Sequence, residues 1–269
     1  MARIEQITSL ANPKVKAIAA LAQKKARIDS GLFVAEGLQL VGFGVEAGWE
    51  LDMLVFKDGG TYQHGGQQVF DQALQATKQA FAVTGAILEK LVRKDNPQGV
   101  IGVFKQKTLP LADVKVGHDV WVVLEEVRDP GNLGTVIRTV DAVGAKGVIL
   151  VGPSTDVWAP ETLRATMGSI FHVPVVITGH EPFFRWKDQS GAMMVGTHLR
   201  TKTDYREVAG LRNGRGLLLA MGTEQSGLSD DMAEACDVLT RIAMRGGAES
   251  LNLAIATGVM LYELFRESK

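Results

Sequence analysis

With 269 residues, 46% of them hydrophobic and 22% charged, the chain can fill one large or two modest packed cores and is too apolar for a disordered tether. Twenty-nine Lys plus Arg against thirty Asp plus Glu leave a formal charge of −1, which argues against coating nucleic acid by bulk attraction but leaves room for a local basic face. The single cysteine, Cys236, excludes an intrachain disulfide; the five His (64, 118, 172, 180 and 198) have no ligand spacing, so no metal site is expected and a reducing cytoplasm is the expected location.

In chain order, Met1-Ala2-Arg3-Ile4-Glu5 lacks a charged leader followed by an apolar stretch, so neither a secretory signal nor a lipid anchor is expected. Asn12-Pro13 opens a helix in which Val15, Ile18, Ala19, Leu21 and Ala22 share an apolar face while Lys14, Lys16, Lys24, Lys25 and Arg27 point elsewhere. Through Ala35 there are six basic residues and two acidic ones, so the basic face is local. Strands are expected at 32–35, 51–56, 81–84 and 99–104, with helices over 36–47 and in a short stretch ending at Val92. The polar stretch from Lys105 to His118 has no period and places a junction near residue 107, leaving 1–106 as a smaller α/β domain.

The second domain, 107–269, alternates more plainly. Strands are expected at 120–124, 148–151, 173–177, 193–197, 217–221 and 238–242, and helices at 133–143, 160–167 and 250–265. Val120-Trp121-Val122-Val123-Leu124 and Leu217-Leu218-Leu219-Ala220 are unbroken apolar runs, as a parallel sheet covered on both faces requires. Ligands of such sheets bind beyond the carboxyl ends of the strands. The apolar stretch 251–265 is too short to span a bilayer, carries Asn252 and Glu263, and reads as a buried helix.

Three loops after expected strands hold polar groups without an obvious structural need. The first, Glu125 to Gly134, has Pro and Gly residues that fix a tight turn, with Asn132 as the expected N-cap; Arg138 lies on the helix that follows, sharing a face with its Asn132 end, and suggests a paired or anion-binding site. The second, Gly222-Thr223-Glu224-Gln225-Ser226-Gly227-Leu228, sets a carboxylate between two glycines that allow backbone to approach a ligand. In the third, Arg241 to Asn252, Ser250 is the expected N-cap and Asn252 an unusual residue for a first turn.

The runs Asn132-x-Gly134-x-x-x-Arg138-Thr139, Gly222-x-Glu224-x-x-Gly227-Leu228 and Ile242-x-Met244 to Ser250-Leu251-Asn252 resemble, in order and spacing, the three motifs of the SpoU (TrmH) family of RNA ribose 2′-O-methyltransferases. Arg164-Ala165-Thr166-Met167-Gly168 is also similar to the family, and Asn12-Pro13-Lys14 with Phe33-Val34-Ala35-Glu36-Gly37 resembles the ribosomal-protein-like RNA-binding domain that many members carry. Ala243 stands where the family usually has Pro, Thr223 where Asn is common and Thr166 where Ser is common.

The resemblance implies an α/β SPOUT methyltransferase domain, a parallel sheet with a trefoil knot, preceded by a smaller α-β-α sandwich that binds RNA. It implies S-adenosylmethionine as cofactor, held by Thr197, Gly222, Ile242, Met244 and Leu251, with Asn132, Arg138, Glu224, Ser250 and Asn252 serving catalysis. Lys14, Lys16, Lys24, Lys25 and Arg27 would contact phosphates of structured RNA, ribosomal in preference to transfer RNA, and a homodimer is implied. Two alternatives stay open at this point, a transfer RNA methyltransferase and a non-catalytic RNA-binding protein. A dinucleotide enzyme is disfavoured, because the GxGxxA match at Gly42 to Ala47 lies inside a helical pattern and not at a strand-to-helix turn.

Overall fold

The computed structural model describes residues 3–62, 65–92, 99–199, 201–211, 214–223 and 225–266. Its contacts divide the chain into two units, Met1–Lys107 with Trp158–Phe171, and Thr108–Val157 with His172–Lys269.

The first unit is built on β1 (Ile4–Ile7), β2 (Leu32–Glu36), β3 (Leu51–Lys57), β4 (Gln79–Val83) and β5 (Val100–Lys105), in the order β1-β4-β3-β5-β2. β1, β4 and β3 run parallel, and β5 is antiparallel to β3 and β2. Among its helices, α1 (Pro13–Ala20) and α5 (Gly85–Leu91) supply Val15, Ile18, Ile87 and Leu88 to a core with Val55, Phe81, Ile101 and Val103. α2 (Lys24–Ser30) follows α1 directly, and α3 (Leu38–Glu46) and α4 (Gly66–Ala76) pack on each other and on β5 and β3. The GxGxxA stretch lies in α3, where a Cβ on Gly44 would come within 2.8 Å of the Phe104 and Phe171 rings, so its glycines serve packing.

Asn12 caps α1 by accepting from the Lys14 N–H at 2.8 Å. The basic face expected from that region needs one correction. Arg27 is buried, 4% exposed, and donates from Nη1 to the Leu21 carbonyl at 2.7 Å, closing the end of α1; it contributes no exposed cation.

The second unit is a six-stranded sheet of β6 (Val120–Glu125), β7 (Gly147–Val151), β8 (Val175–Thr178), β9 (Met193–Thr197), β10 (Leu217–Met221) and β11 (Val238–Thr240), ordered β11-β9-β10-β6-β7-β8. Every pairing is parallel, and each residue of β6, β7 and β10 is buried, which is why these strands read as unbroken apolar runs. Its described helices are α6 (Pro130–Val143), α8 (His180–Ser190), α9 (Val208–Leu211), α10 (Asp230–Glu234) and α11 (Leu253–Leu264); α7 (Pro160–Thr166) lies between α6 and α8 in the chain but outside this unit. Phe183 of α8 and Met232 of α10 join Trp121, Val123, Ile149, Met194 and Leu218 in one core cluster; α6 and α11 pack against each other.

α7 belongs with the first unit, a departure from division by chain position alone. Trp158 stacks on Phe33 with ring centroids 4.8 Å apart, Trp49 Nε1 donates to the Phe171 carbonyl at 2.9 Å, and Arg164 lies 3.7 Å from Glu36. The two family-like stretches around Glu36 and Arg164 therefore meet in space.

Candidate active site at the carboxyl ends of the second sheet

The three loops leave neighbouring strands at one end of the sheet. After β6, Glu126 turns the chain in a left-handed conformation, φ +49°, uncommon for a residue with a Cβ. Asp129 then caps α6, its Oδ1 accepting from the Asn132 N–H at 2.6 Å. This corrects the expectation that Asn132 is the cap. The helix starts three residues earlier because Asp129 and Pro130 occupy the cap and first positions, which frees the Asn132 side chain for another partner.

That partner is Asn252. α11 begins at Leu253, and Asn252, not Ser250, is its N-cap, with Oδ1 accepting from the N–H groups of Ala254 at 3.0 Å and Ile255 at 3.3 Å. Its Nδ2 donates to Asn132 Oδ1 at 2.8 Å. Asn132 is buried and Ser250 is exposed. Arg138 is also exposed, and six residues beyond Asn132 it lies about 120° round the helix. The expected shared face with Asn132 is thus not formed.

The second loop folds back on itself. Thr223 and Gly227 exchange backbone hydrogen bonds at 2.9 and 3.0 Å, and the Thr223 and Ser226 hydroxyls are 2.7 Å apart. A Cβ on Gly222 would sit 2.0 Å from the Gly227 carbonyl carbon, so only glycine fits here. Glu224 lies outside the described residues. The third loop is rooted by the segment after β9: His198 N–H donates to the Thr240 carbonyl at 2.8 Å, Arg241 N–H to Thr203 at 3.0 Å and Tyr205 N–H to Arg241 at 3.1 Å.

Two cavities open between these loops. One, of about 380 Å³, is lined by Thr197, Gly222, Ile242, Met244 and Leu251, and also by Ser250. The other, also about 380 Å³, is lined by Glu126, Arg128, Asp129 and Asn132. Thr223, Gln225, Ser226 and Leu253 line both, so the second loop is a wall common to the two. Arg138 lines neither. The residues Glu126, Arg128 and Asp129 were not singled out from sequence, although they stand in the loop that was.

Of the residues expected to meet RNA, Lys16, Lys24 and Lys25 are exposed, while Lys14 is half-buried, paired with Glu5 and 4.7 Å above the Phe81 ring. Among the described residues no group of three or more His, Cys, Asp or Glu is placed to hold a metal ion, and no helix is long and apolar enough to cross a membrane.

Comparison with known proteins gives this geometry relatives. An AdoMet-bound rRNA methyltransferase from Sinorhizobium meliloti is 42% identical with a TM-score of 0.91, covering 99% of both chains. The SpoU methyltransferase AviRb from Streptomyces viridochromogenes, in complex with the cofactor AdoMet, is 26% identical with a TM-score of 0.83, over 95% of this chain and 98% of that one. The 23S rRNA (guanosine(2553)-2′-O)-methyltransferase RlmP of Bacillus subtilis is 28% identical over 261 residues, 97% of this chain and 99% of that protein. The MRM3-like substrate binding domain matches residues 12–102. The SpoU rRNA Methylase family matches residues 119–262, and the chain belongs to that family.

Proposed function

We propose that the chain methylates a ribose 2′-hydroxyl of ribosomal RNA with S-adenosylmethionine as donor. The observation that carries this reading is the pair of adjoining cavities with one loop as their common wall, an arrangement suited to holding a donor and an acceptor side by side. The first cavity fits the cofactor in size, and its floor depends on a glycine at 222 whose backbone is pressed against Gly227. Thr197, Gly222, Ile242, Met244 and Leu251 would hold it. When bound, S-adenosylmethionine supplies a methyl group activated by a positively charged sulfur.

The chain's own part is mainly positioning, which can remove roughly 7–11 kcal/mol of barrier when reactants are well oriented. Asn132, fixed by Asn252, and Glu224 orient the target nucleotide and the second-loop backbone, and Ser250, which lines the first cavity, holds the third loop with Asn252. Arg138 is a poor base, because a guanidinium keeps its proton throughout the physiological range. It grips the phosphate beside the target ribose, and a phosphate oxygen or a water takes the hydroxyl proton.

Residues 1–106 select the RNA and 107–269 carry the chemistry in this reading. The strand order, with β10 between β9 and β6 and α11 returning to α6, supports the family's trefoil knot in the C-terminal segment. A homodimer is supported by α11, which exposes Ile255 and Tyr262 two turns apart on one face, and the active site would draw on both subunits. The reaction belongs in the cytoplasm.

The test is transfer of tritiated methyl from S-adenosylmethionine to ribosomal RNA, followed by nucleoside analysis. Label in 2′-O-methyl nucleosides is expected. Label on a base, or none in any ribosomal fraction, would overturn the reading; label confined to transfer RNA would change the substrate but not the reaction.

A further inference from the structure

Glu125, the last residue of β6, has 4% of its side chain exposed and lines neither cavity. Its carboxylate is nonetheless tied to two distant parts of the second unit. Ser229 donates to it twice, from Oγ to Oε1 at 2.6 Å and from the backbone N–H to Oε2 at 2.8 Å. His180 Nε2 lies 3.1 Å from Oε1, and because a carboxylate oxygen only accepts, this contact puts a proton on Nε2.

Both partners open helices. Ser229 is the N-cap of α10, its Oγ accepting from the Met232 N–H at 3.2 Å, and His180 is the first residue of α8. The backbone makes room for the imidazole at Gly152, where φ is +76° and a Cβ would come within 2.4 Å of His180 Cε1. A buried carboxylate is costly unless hydrogen-bonded, so the donors that offset this cost also fix where their own segments sit.

Those segments border the cavities. On one side of Glu125, Glu126 begins the wall of the second cavity. On the other, Ser229 follows Gly227 and Leu228, the returning arm of the loop that walls both cavities. We infer that Glu125 is a positioning residue for methyl transfer, a clamp that sets the spacing between the first and second loops through Ser229, with His180 as its second tether. This rests on the proposed methyl transfer for its binding and kinetic readouts only.

The test compares Ser229→Thr, Ser229→Ala and Ser229→Asp with the full-length wild type. Calorimetry gives S-adenosylmethionine affinity, methyl transfer to ribosomal RNA gives kcat and KM, and amide hydrogen exchange follows residues 225–228. Ser229→Thr keeps the hydroxyl and stays within about twofold of wild type in affinity. Ser229→Asp can still cap α10 but sets a second carboxylate against Glu125. It binds the cofactor at least about tenfold more weakly, lowers kcat, and exchanges faster in the loop, as does Ser229→Ala. Glu125→Gln, which faces one of the three donors with an amide NH₂, follows the same pattern if it folds. Wild-type affinity and exchange in folded Ser229→Asp would overturn the clamp. A folded wild type that neither bound S-adenosylmethionine nor methylated RNA would overturn the functional reading instead, and loop exchange in Ser229→Asp would then decide the clamp alone.

Discussion

Asn252 Nδ2 donates to Asn132 Oδ1 at 2.8 Å, so the cap of the last helix is also the anchor of the first motif. The same side chain accepts from two N–H groups of its own helix, which leaves each end of the amide with a separate task. Asn252→Asp keeps the acceptor for the cap and replaces the donor with an oxygen facing an oxygen. The expected result is loss of about 1–3 kcal/mol of stability in urea denaturation, from the polar group left without its donor. Turnover should fall more than cofactor affinity, because Asn132 lines the second cavity and not the first. Unchanged turnover would show that the link between the two asparagines has no part in catalysis.

Gly222→Ala tests the common wall. The new Cβ would meet backbone at 2.0–2.1 Å, and backbone atoms of a doubly hydrogen-bonded turn cannot swing aside as a side-chain tip can. The loop must open, so S-adenosylmethionine binding measured by calorimetry should drop by two orders of magnitude or more, about 2.7 kcal/mol. Binding within threefold of wild type would remove Gly222 from the cofactor site.

How much of this was legible beforehand depended on whether the deciding contact was local. β6, β7 and β10 were legible because their burial on both faces is written as continuous apolar sequence. The helix starts were not. Asn132 and Ser250 are both good capping types, but so are Asp129 and Asn252; Asp129 with Pro130 takes the start of α6, and Asn252, the cap of α11, meets the freed Asn132 side chain across 120 residues. Arg27 reads as one more cation on a basic face, yet the break after Leu21 turns it inward. α8 was missed because Pro182 and a polar majority mask Phe183, its one fully buried anchor. Glu125 and Glu126 are alike in sequence; Ser229, 104 residues on, and His180, 55 residues on, distinguish the buried clamp from the cavity wall.

Arg138 lines neither cavity, and that makes its role testable. Arg138→Lys keeps the charge but loses the two-pronged geometry suited to a phosphate. Turnover on RNA should fall about tenfold or more while the dissociation constant for S-adenosylmethionine is unchanged. Turnover near wild type would rule out bidentate phosphate contact, and weakened cofactor binding would place Arg138 against the donor site.

Cys236 gives a pH-dependent prediction of definite sign. Burial pushes its thiol up from an ordinary value of 9.0 to about 12, so the folded chain keeps the proton where the unfolded chain loses it. The contribution to stability is complete below pH 9 and disappears as pH rises from there towards 12. Burial raises Tyr62 to about 12 as well, in the other unit, with the same sign. Denaturation midpoints should therefore fall across this alkaline window, and Cys236→Ala should reduce the fall without abolishing it. A Cys236→Ala profile identical to wild type would show that the thiol ionises alike in folded and unfolded chains.

The basic N-terminal face can be divided by salt dependence. Lys16, Lys24 and Lys25 are exposed and available to phosphates, whereas Arg27 spends its guanidinium on the Leu21 carbonyl. Replacing the three lysines with Ala should flatten the plot of log affinity for ribosomal RNA against log salt by about 0.7–0.9 per lost phosphate contact, with stability nearly unchanged. Arg27→Ala should do the reverse, leaving the slope of the folded protein intact and lowering stability by about 1–3 kcal/mol, since a buried carbonyl loses its charged donor. The two measurements together separate attraction for RNA from support of the fold. An unchanged slope in the triple variant would move the RNA-binding surface to another face of the first unit.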